Sequence, residues 1–441
     1  MKSIKSITEP GRTIPVMAET EVLVIGGGPA GLSAAISAAR MGVETMLVER
    51  YGCFGGNITL SAVEPPSWYR QPNTVEAGGI AFELEERMVK LGATQKCMFD
   101  SIGLSLDTEI FKYMADGIIK ENGIIPLFHC MGVYPYMEGN TVKGVITESK
   151  SGRTVILAQR VIDCTGDGDI AYYAGAPYEK GDANDGKLMG ATLVFGTSGV
   201  DIKKFEEFVE QHPDIRDPHT LKALYHPFVK AAENGEWPHV SKRMFFNSLT
   251  YAGEATGLNH VFIPDVDGTN VWDMTRAEIE GRQHVLDSIK VLKKYQPGFE
   301  NCKLRTFAMC VGFRETRRIT GGYTITREDI LNEARFEDSI GIFPVYLDGL
   351  GVVIIPDTGI YFQVPYRIIL PQKVENLLVA GRCISGTRDA VPTTRQMNFC
   401  SVTGQGAGVA AALSIKDNVS LRGINISKLQ ESIKKQGVRI A

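Results

Sequence analysis

The apolar positions at the start of the chain follow a strand–helix–strand order. Residues 22–25 form a short, wholly apolar run, which is typical of a central parallel strand. A helix rich in Ala and Ser is predicted over residues 30–41, and Gly42 ends it. A second strand is predicted at residues 44–48. This order predicts an α/β fold that begins with a Rossmann-like βαβ unit.

Similar short elements occur on both sides of the middle of the chain. Before it, the spacing of apolar residues predicts helices over 78–91 and 107–122. The strands predicted in that part are 124–133, an antiparallel pair at 141–147 and 154–157, and 161–164. After the middle, the predicted elements are strands at 352–355, 362–365 and 377–380 and a final helix from about 394 to 413.

Residues 180–330 have a different character. Predicted helices alternate here with strand-like segments, the helices at 201–211, 219–234 and 275–295 and the strands at 191–196, 258–263 and 303–311. Six of the seven histidines also lie here. We interpret this region as an inserted α+β substrate or cap domain. The expected division is a first part of a dinucleotide-binding domain at 1–180, the cap at 181–342 and the second part at 343–441.

A glycine-rich turn joins the first strand to the first helix. The letters GGGPAG, read as G-x-G-x-x-G, place glycines at Gly26, Gly28 and Gly31. The first permits the tight turn, the second lets the backbone approach a pyrophosphate, and the third lets helix and strand pack closely. The helix begins at Pro29 and Ala30, so its positive amino end faces the phosphates. The alternative is a glycine-rich turn in a βαβ unit of another kind.

An acidic residue at the end of the second strand completes this pattern. Glu49 follows the apolar run, and Arg50 comes next. An acid at this position accepts hydrogen bonds from the hydroxyls of the adenosine ribose. Because it would repel a phosphate on that ribose, the sequence favours FAD or NAD over NADP.

Composition and charge exclude several other classes of protein. The 441 residues carry a formal net charge of -4, so no basic excess favours a nucleic acid as partner. The first twenty residues lack the apolar core of a secretory signal, and no run approaches the roughly 20 apolar residues that span a bilayer. We therefore expect a cytoplasmic protein that does not bind a membrane.

The cysteines predict neither a redox disulfide nor a metal site. The eight cysteines are scattered, and no two have the C-x-x-C spacing of zinc, iron–sulfur or thiol-redox sites. In a reducing compartment most of them are expected to be buried small apolar side chains.

Several segments together resemble a known family. The chain resembles the FAD-dependent oxidoreductases with the glutathione-reductase type of fold, in particular the flavin-binding portion of heterodisulfide reductase and, more distantly, the fumarate reductase flavoproteins. The resemblance covers both ends of the chain and the Arg-rich segment between them, but not residues 185–300. The segments that carry it are VLVIGGGPAGLSAAISAARMGVETMLVER, FGGNIT, KGVITESKSGRTVILAQRVIDCTGDGDIAYYAGAPYEKG, GFRETRRITGGY, VPYRIILPQKVENLLVAGRCIS and TGQGAGVAAAL.

The resemblance implies that FAD is the cofactor and that both ends of the chain hold it. The implied cofactor-binding residues are Gly26, Gly28, Pro29, Ala30, Gly31, Glu49, Arg50, Gly55, Gly56, Asn57, Val133, Thr165, Gly166, Asp167, Gly381 and Arg382. Arg382 stands where many relatives have an acid that binds the ribityl chain, so the sequence departs from the family pattern there. The final helix is expected to point its positive end at the pyrimidine edge of the flavin.

The candidate catalytic residues are five basic side chains. Arg314 and Arg317 belong to an Arg-rich cluster that is either an anion clamp facing the flavin or, as we favour, a structural ion-pair cluster. Arg388 and Arg395 flank the start of the last helix and are expected near the flavin. His260 lies in the strand-like run LNHVFI, which places it on the floor of the cap.

These features predict an FAD-dependent oxidoreductase that transfers a hydride between a small organic substrate and flavin N5. Two alternatives stay open, namely a flavoprotein that only transfers electrons to or from a protein redox partner and an RNA-modifying flavoprotein. The expected partners are a small-molecule substrate and either a second copy of this chain or a protein electron carrier. Only one strand–glycine-turn–helix fingerprint is present, so we expect no separate NAD(P)-binding domain.

Overall fold

A computed structural model describes residues 6–66, 76–96, 104–213, 226–241, 248–250, 252–355 and 359–441. The strands are β1 (Val16–Ile25), β2 (Thr45–Val48), β3 (Thr94–Lys96), β4 (Leu104–Leu106), β5 (Ile125–Leu127), β6 (Cys130–Glu138), β7 (Thr141–Ser149), β8 (Gly152–Asp163), β9 (Tyr178–Lys180), β10 (Ala191–Ser198), β11 (Ser248–Thr250), β12 (Glu254–Ile263), β13 (Lys303–Phe307), β14 (Arg317–Ile319), β15 (Ser339–Pro344), β16 (Leu347–Gly349), β17 (Val352–Ile354), β18 (Tyr361–Pro365) and β19 (Leu377–Val379).

Helices occur between these strands and after the last of them, along the whole described part of the chain. They are α1 (Pro29–Arg40), α2 (Ile80–Lys90), α3 (Thr108–Glu121), α4 (Asp169–Tyr173), α5 (Ile202–Gln211), α6 (His226–Glu233), α7 (Val271–Tyr295), α8 (Arg327–Leu331), α9 (Val391–Thr394), α10 (Met397–Lys416) and α11 (Ile426–Lys435). Among the described residues, none of these helices is long and apolar enough to cross a membrane.

The main sheet has seven strands in the order β5-β2-β1-β8-β7-β6, and β19 also pairs with β8. Strands β5, β2, β1, β8 and β19 are parallel, with Val22 opposite Thr45 and Leu378 opposite Ile162. Their carboxyl ends therefore meet at one edge of the sheet, where an open α/β sheet binds its ligand. Strand β7 joins the first half of β8 in the antiparallel direction.

Two helices from opposite ends of the chain pack beside this sheet. Helix α1 is buried along most of its length, and α10 is buried from Met397 to Ser414. A Cβ on Gly408 would overlap the carbonyl oxygen of Ala34, so the two helix backbones meet at glycine. This close contact ties the last part of the chain to the first βαβ unit.

A second core lies between these two parts of the chain. The buried side chains from Ala191 to Val311 form a separate cluster on the antiparallel sheet β11-β12-β10-β13, with the 25-residue helix α7 packed against it. Ile319, Ile325 and Ile340 belong to the first core instead. The domain boundaries expected at 180 and 342 stay a prediction.

The structure differs from the predicted elements at several places. The strand predicted at 124–133 is two strands, β5 and β6, and the strand predicted at 303–311 ends at Phe307. The pieces predicted at 154–157 and 161–164 are one strand, β8. The predicted final helix is interrupted, because Gln396 has the extended backbone of an amino-terminal cap and separates α9 from α10. A further helix, α11, follows it, and Asn425 caps its start by accepting the N–H of Lys428. Part of the helix predicted at 219–234 lies outside the described residues, as do residues 67–75.

Candidate active site

A cavity of about 560 Å³ lies between the two cores. At one end, which we call the turn end, it is lined by the carboxyl ends of β1, β2, β8 and β19 and the loops that follow them. We call the remaining lining the distal end; it comprises residues of β10 and β12, segments 310–314 and 346–355, and Arg395. The two ends adjoin at Cys310, whose N–H donates to the carbonyl of Leu60 at 3.1 Å. The volume is in the range of small-molecule and cofactor sites, roughly 300–1,000 Å³.

The glycine turn forms one wall of the turn end. Gly26 has φ +100°, and a Cβ there would overlap the carbonyl oxygen of Cys164. A Cβ on Gly31 would overlap the carbonyl oxygen of Gly26, so this glycine serves helix–strand packing. Gly28 differs, because a Cβ there would meet only the Cα of Gly56, at 3.7 Å, among the described residues. The room beside Gly28 belongs to the cavity, as expected where a pyrophosphate approaches the backbone.

Glu49 is held in a fixed orientation at the end of β2. Its side chain is buried, with one oxygen accepting the N–H of Gly27 at 2.7 Å and the other that of Tyr51 at 3.0 Å. Each oxygen keeps a further lone pair, and the residue lines the cavity. The carboxylate is therefore prepared to accept hydrogen bonds from a sugar.

A second carboxylate, Asp163, shapes the loop after β8 without lining the cavity. It accepts hydrogen bonds from Thr165 and from the N–H of Ala171. Burial raises its pKa to about 6, although these hydrogen bonds oppose the rise. The loop that it fixes brings Thr165, Gly166 and Asp167 to the cavity wall.

Arg382 binds a carboxylate of this loop. Its guanidinium lies 2.6 Å from Asp167 Oδ1 and donates to Thr316 Oγ1 at 3.0 Å. The Thr316 hydroxyl also donates to Asp167 Oδ1, at 2.8 Å. The charge of Arg382 is therefore balanced by Asp167 at the cavity wall.

Most residues predicted to bind the cofactor line this cavity. They are Gly26, Gly28, Pro29, Ala30, Glu49, Arg50, Gly56, Asn57, Thr165, Gly166, Asp167, Gly381 and Arg382. Gly31, Gly55 and Val133 are not among the lining residues. Gly55 donates its N–H to the carbonyl of Gly27 at 2.8 Å and so supports the turn. Gly132, next to Val133, does line the cavity. The cofactor contacts of all these residues stay a prediction.

Two of the five candidate catalytic residues lie in ion pairs away from the cavity lining. Arg317 contacts Asp169 at 2.8 Å and stacks over the ring of Tyr172, 4.2 Å from its centre. Arg388 binds Asp182, at 2.5 Å, and lies 3.4 Å from a buried Glu315. The structural ion-pair interpretation applies to Arg317, whereas Arg388 is expected near the flavin; the roles of both stay a prediction.

The other three candidates, His260, Arg314 and Arg395, line the distal end. His260 is 3% exposed and packs against the rings of Phe228, at 3.9 Å, and Trp237, at 5.0 Å, which also contact each other. The structure thus brings together residues that lie 135 positions apart in the sequence.

The two arginines are held by different partners. Arg314 donates to the carbonyl of Gly190 at 2.9 Å and to the hydroxyl of Thr192. Burial, together with repulsion from Arg395, lowers the pKa of Arg314 to about 10. Arg395 binds the carboxylate of Asp348 at 2.9 Å and its carbonyl at 2.6 Å.

Sequence reasoning missed Thr192 and Asp348, which hold these arginines. Neither belongs to a motif, since Thr192 lies in an apolar strand and Asp348 in a short hairpin. Cys310 also lines the cavity, and burial raises the pKa of its thiol. Tyr346 lines it too, and burial raises its pKa far above the ordinary value. Of these four residues, only Tyr346 could be suspected from the sequence, because a tyrosine can donate a proton.

The parallel sheet, the glycine turn at its carboxyl edge and the oriented Glu49 define a protein that binds an adenine dinucleotide. Residues 21–433 match the family described as FAD dependent oxidoreductase, and the chain belongs to it. The cofactor is FAD, and the sequence's prediction of a Rossmann-like FAD-binding fold is confirmed.

Individual relatives match parts of the chain or its fold. A dihydrolipoyl dehydrogenase of Haemophilus influenzae is 55% identical over 38 residues, 9% of this chain and 8% of the relative. An NADH oxidase of Thermoanaerobacter brockii is 24% identical over 149 residues, 33% of this chain and 21% of the relative. The chain thus spans less than a quarter of these curated relatives.

A solved structure shares the fold at low sequence identity. The geranylgeranyl bacteriochlorophyll reductase-like protein of Thermoplasma acidophilum aligns with a TM-score of 0.51 at 14% identity. The alignment covers 96% of this chain and 85% of that one. At this identity the likeness concerns the fold alone.

Proposed function

We propose that this protein transfers a hydride between a small organic substrate and the flavin. FAD, when bound, supplies hydride exchange at N5. The protein binds the substrate and the cofactor, orients them and excludes water from the site. The observation that carries the proposal is the continuity of the cavity from the glycine turn to His260, Arg314 and Arg395. A second ligand at the distal end would therefore lie next to a cofactor bound at the turn end.

Gly28, Glu49, Thr165 and Arg382 would hold the cofactor at the turn end, on the contacts described above. The room beside Gly28 and the two backbone contacts of Glu49 fit an adenine dinucleotide. The amino end of α10 also reaches the cavity lining, its N-cap residue Gln396 makes no side-chain capping bond, and the helix would present its partial positive charge there.

His260 would move the proton that accompanies hydride transfer. It is a titratable side chain at the distal end, and imidazole accepts or donates a proton near neutral pH. Tyr346 is the competing candidate; burial raises its pKa, so it stays a neutral phenol that could donate a proton but not accept one. Replacing His260 by Gln should change the pH profile of flavin reduction, whereas replacing Tyr346 by Phe should not.

The test of the proposal is anaerobic mixing of the FAD-loaded protein with separate small acids, amines, alcohols and enoates, followed by flavin absorbance. Enoates are tested against chemically reduced protein, because the direction of transfer is open. We expect one class to change the redox state of the flavin rapidly.

A flavin that responds to none of these compounds, but exchanges electrons with a co-purifying protein, would contradict the proposal. That result would support the electron-transferring flavoprotein and the resemblance to heterodisulfide reductase. NADH and NADPH are included because the single dinucleotide fingerprint predicts no rapid reduction by either.

A further inference from the structure

Arg314 stands apart from the other arginines near the cavity. Its guanidinium donates to two neutral oxygens, the carbonyl of Gly190 and the hydroxyl of Thr192. Among the residues that the structure describes, no carboxylate oxygen lies within 4.0 Å of it. The nearby Arg317 and Arg388, in contrast, each bind a carboxylate directly.

The charges at the distal end do not cancel. Its lining includes two cations, Arg314 and Arg395, and one carboxylate, Asp348, within the described part of the chain. Asp348 is engaged by Arg395 at 2.9 Å. Arg314 is therefore partly buried without a carboxylate in direct contact among the described residues, and Asp348, which it shares with Arg395, is its nearest source of negative charge. Partial loss of water around a charged group without a contacting counter-ion is costly. An anion that enters the cavity would remove this cost.

The surroundings of Arg314 favour an anion with an apolar body. The distal end is also lined by Val194, Phe262, Val311 and Phe313. A small inorganic ion would leave these apolar side chains facing water, whereas an organic acid would cover them. The planar fork of a guanidinium matches a carboxylate in two parallel hydrogen bonds.

We propose that the substrate is an organic carboxylate whose carboxyl group binds Arg314, with Arg395 as a second positive charge at the same end. This inference rests on the proposed function, because it takes the distal end as the substrate site. It deepens that function by naming the chemical class of the substrate.

The experiment measures binding rather than turnover. FAD-loaded protein is titrated with acetate, succinate and benzoate, each against its neutral amide, and with inorganic phosphate, and the change in the flavin absorbance spectrum is followed. We expect at least one acid to perturb the spectrum, its amide to have no effect at the same concentration, and phosphate not to compete.

Arg314→Gln is expected to weaken binding of that acid by about 10-fold to 100-fold, the range for a lost hydrogen bond to a charged group, while FAD occupancy stays unchanged. Arg314→Lys keeps the charge but not the fork, and should weaken it less. The matched control is Arg153→Gln, which removes an arginine paired with Glu148 on the β7–β8 hairpin and should leave binding unchanged.

Three results would overturn the inference. The first is equal binding of acids and amides, or no binding of any acid. The second is phosphate that competes with the acids at similar affinity, which would make the site one for any anion. The third is loss of FAD rather than of acid binding in Arg314→Gln, which would make Arg314 a cofactor contact. Because no turnover is needed, failure of hydride transfer would be seen separately in the mixing experiment.

Discussion

The two ends of the cavity are built in different ways. The turn end is built mainly on loops that follow parallel strands, from the glycine turn after β1, the end of β2 at Glu49 and the loops after β8 and β19. The distal end is lined by side chains such as Thr192, His260 and Arg314, which come from distant segments. The geometry of the turn end thus follows from the parallel sheet, while that of the distal end depends on single side chains.

The largest expected effect is at the turn end. Gly28→Val should abolish FAD binding, because its side chain would occupy the cavity beside the turn. Purified variant protein should be colourless, and added FAD should not restore the flavin spectrum. Gly117→Val is the control, since a Cβ there meets no described atom within 4 Å. A Gly28→Val protein that is yellow would place the phosphate site elsewhere.

The next effect concerns stability and pH. The pKa of Asp163 is raised to about 6 from an ordinary value of 3.8, so the folded protein binds more protons than the unfolded chain between these values. Stability should therefore fall as pH rises through this window, by up to about 3 kcal/mol above pH 6 from this group alone. Asp163→Asn should remove that part of the slope.

The measurement for Asp163 is denaturant unfolding from pH 4 to pH 7 in both proteins. Only the slopes are compared, because an amide in place of the carboxylate is not expected to satisfy the N–H of Ala171 equally well. Parallel curves for the two proteins would show that Asp163 does not change its proton binding on folding.

A smaller loss of cofactor affinity is expected at Glu49. Glu49→Ala removes the acceptor for the N–H groups of Gly27 and Tyr51 and for a ribose, and should weaken FAD binding by about 1–3 kcal/mol. Glu49→Gln retains one acceptor oxygen and should lose less. Calorimetric titration of apoprotein with FAD gives both values, and an unchanged affinity in the Ala variant would exclude a ribose contact.

The smallest expected effect is on the affinity for a carboxylate, and it tests whether the two ends bind their ligands independently. Thr192→Val is nearly isosteric but removes the hydroxyl that accepts from Arg314. The affinity for a carboxylate should fall about five-fold, the effect of about 1 kcal/mol, and the affinity for FAD should stay the same. A parallel fall in both affinities would mean that the two ends are not independent.

The same difference explains what could be predicted from the sequence. The glycine turn and Glu49 belong to one βαβ unit, 22 positions apart, with the spacing typical of a dinucleotide-binding turn, so the turn end was predictable. The partner of Arg382 was not, because Asp167 lies 215 positions away and the pair forms only when β8 and β19 are neighbours. The break before α10 could not be predicted either, because Arg395 and Gln396 stand there and neither is a proline or glycine, the residues that commonly mark the end of a helix.

The position of β19 has a consequence for the order of events during synthesis. This strand completes the edge of β8, and Gly381 and Arg382 of the cavity wall directly follow it. The wall of the cavity cannot be complete until residues 377–382 have been synthesised, after the whole of the second core. Since contacts this distant in sequence form slowly, we expect the cavity to close late in folding.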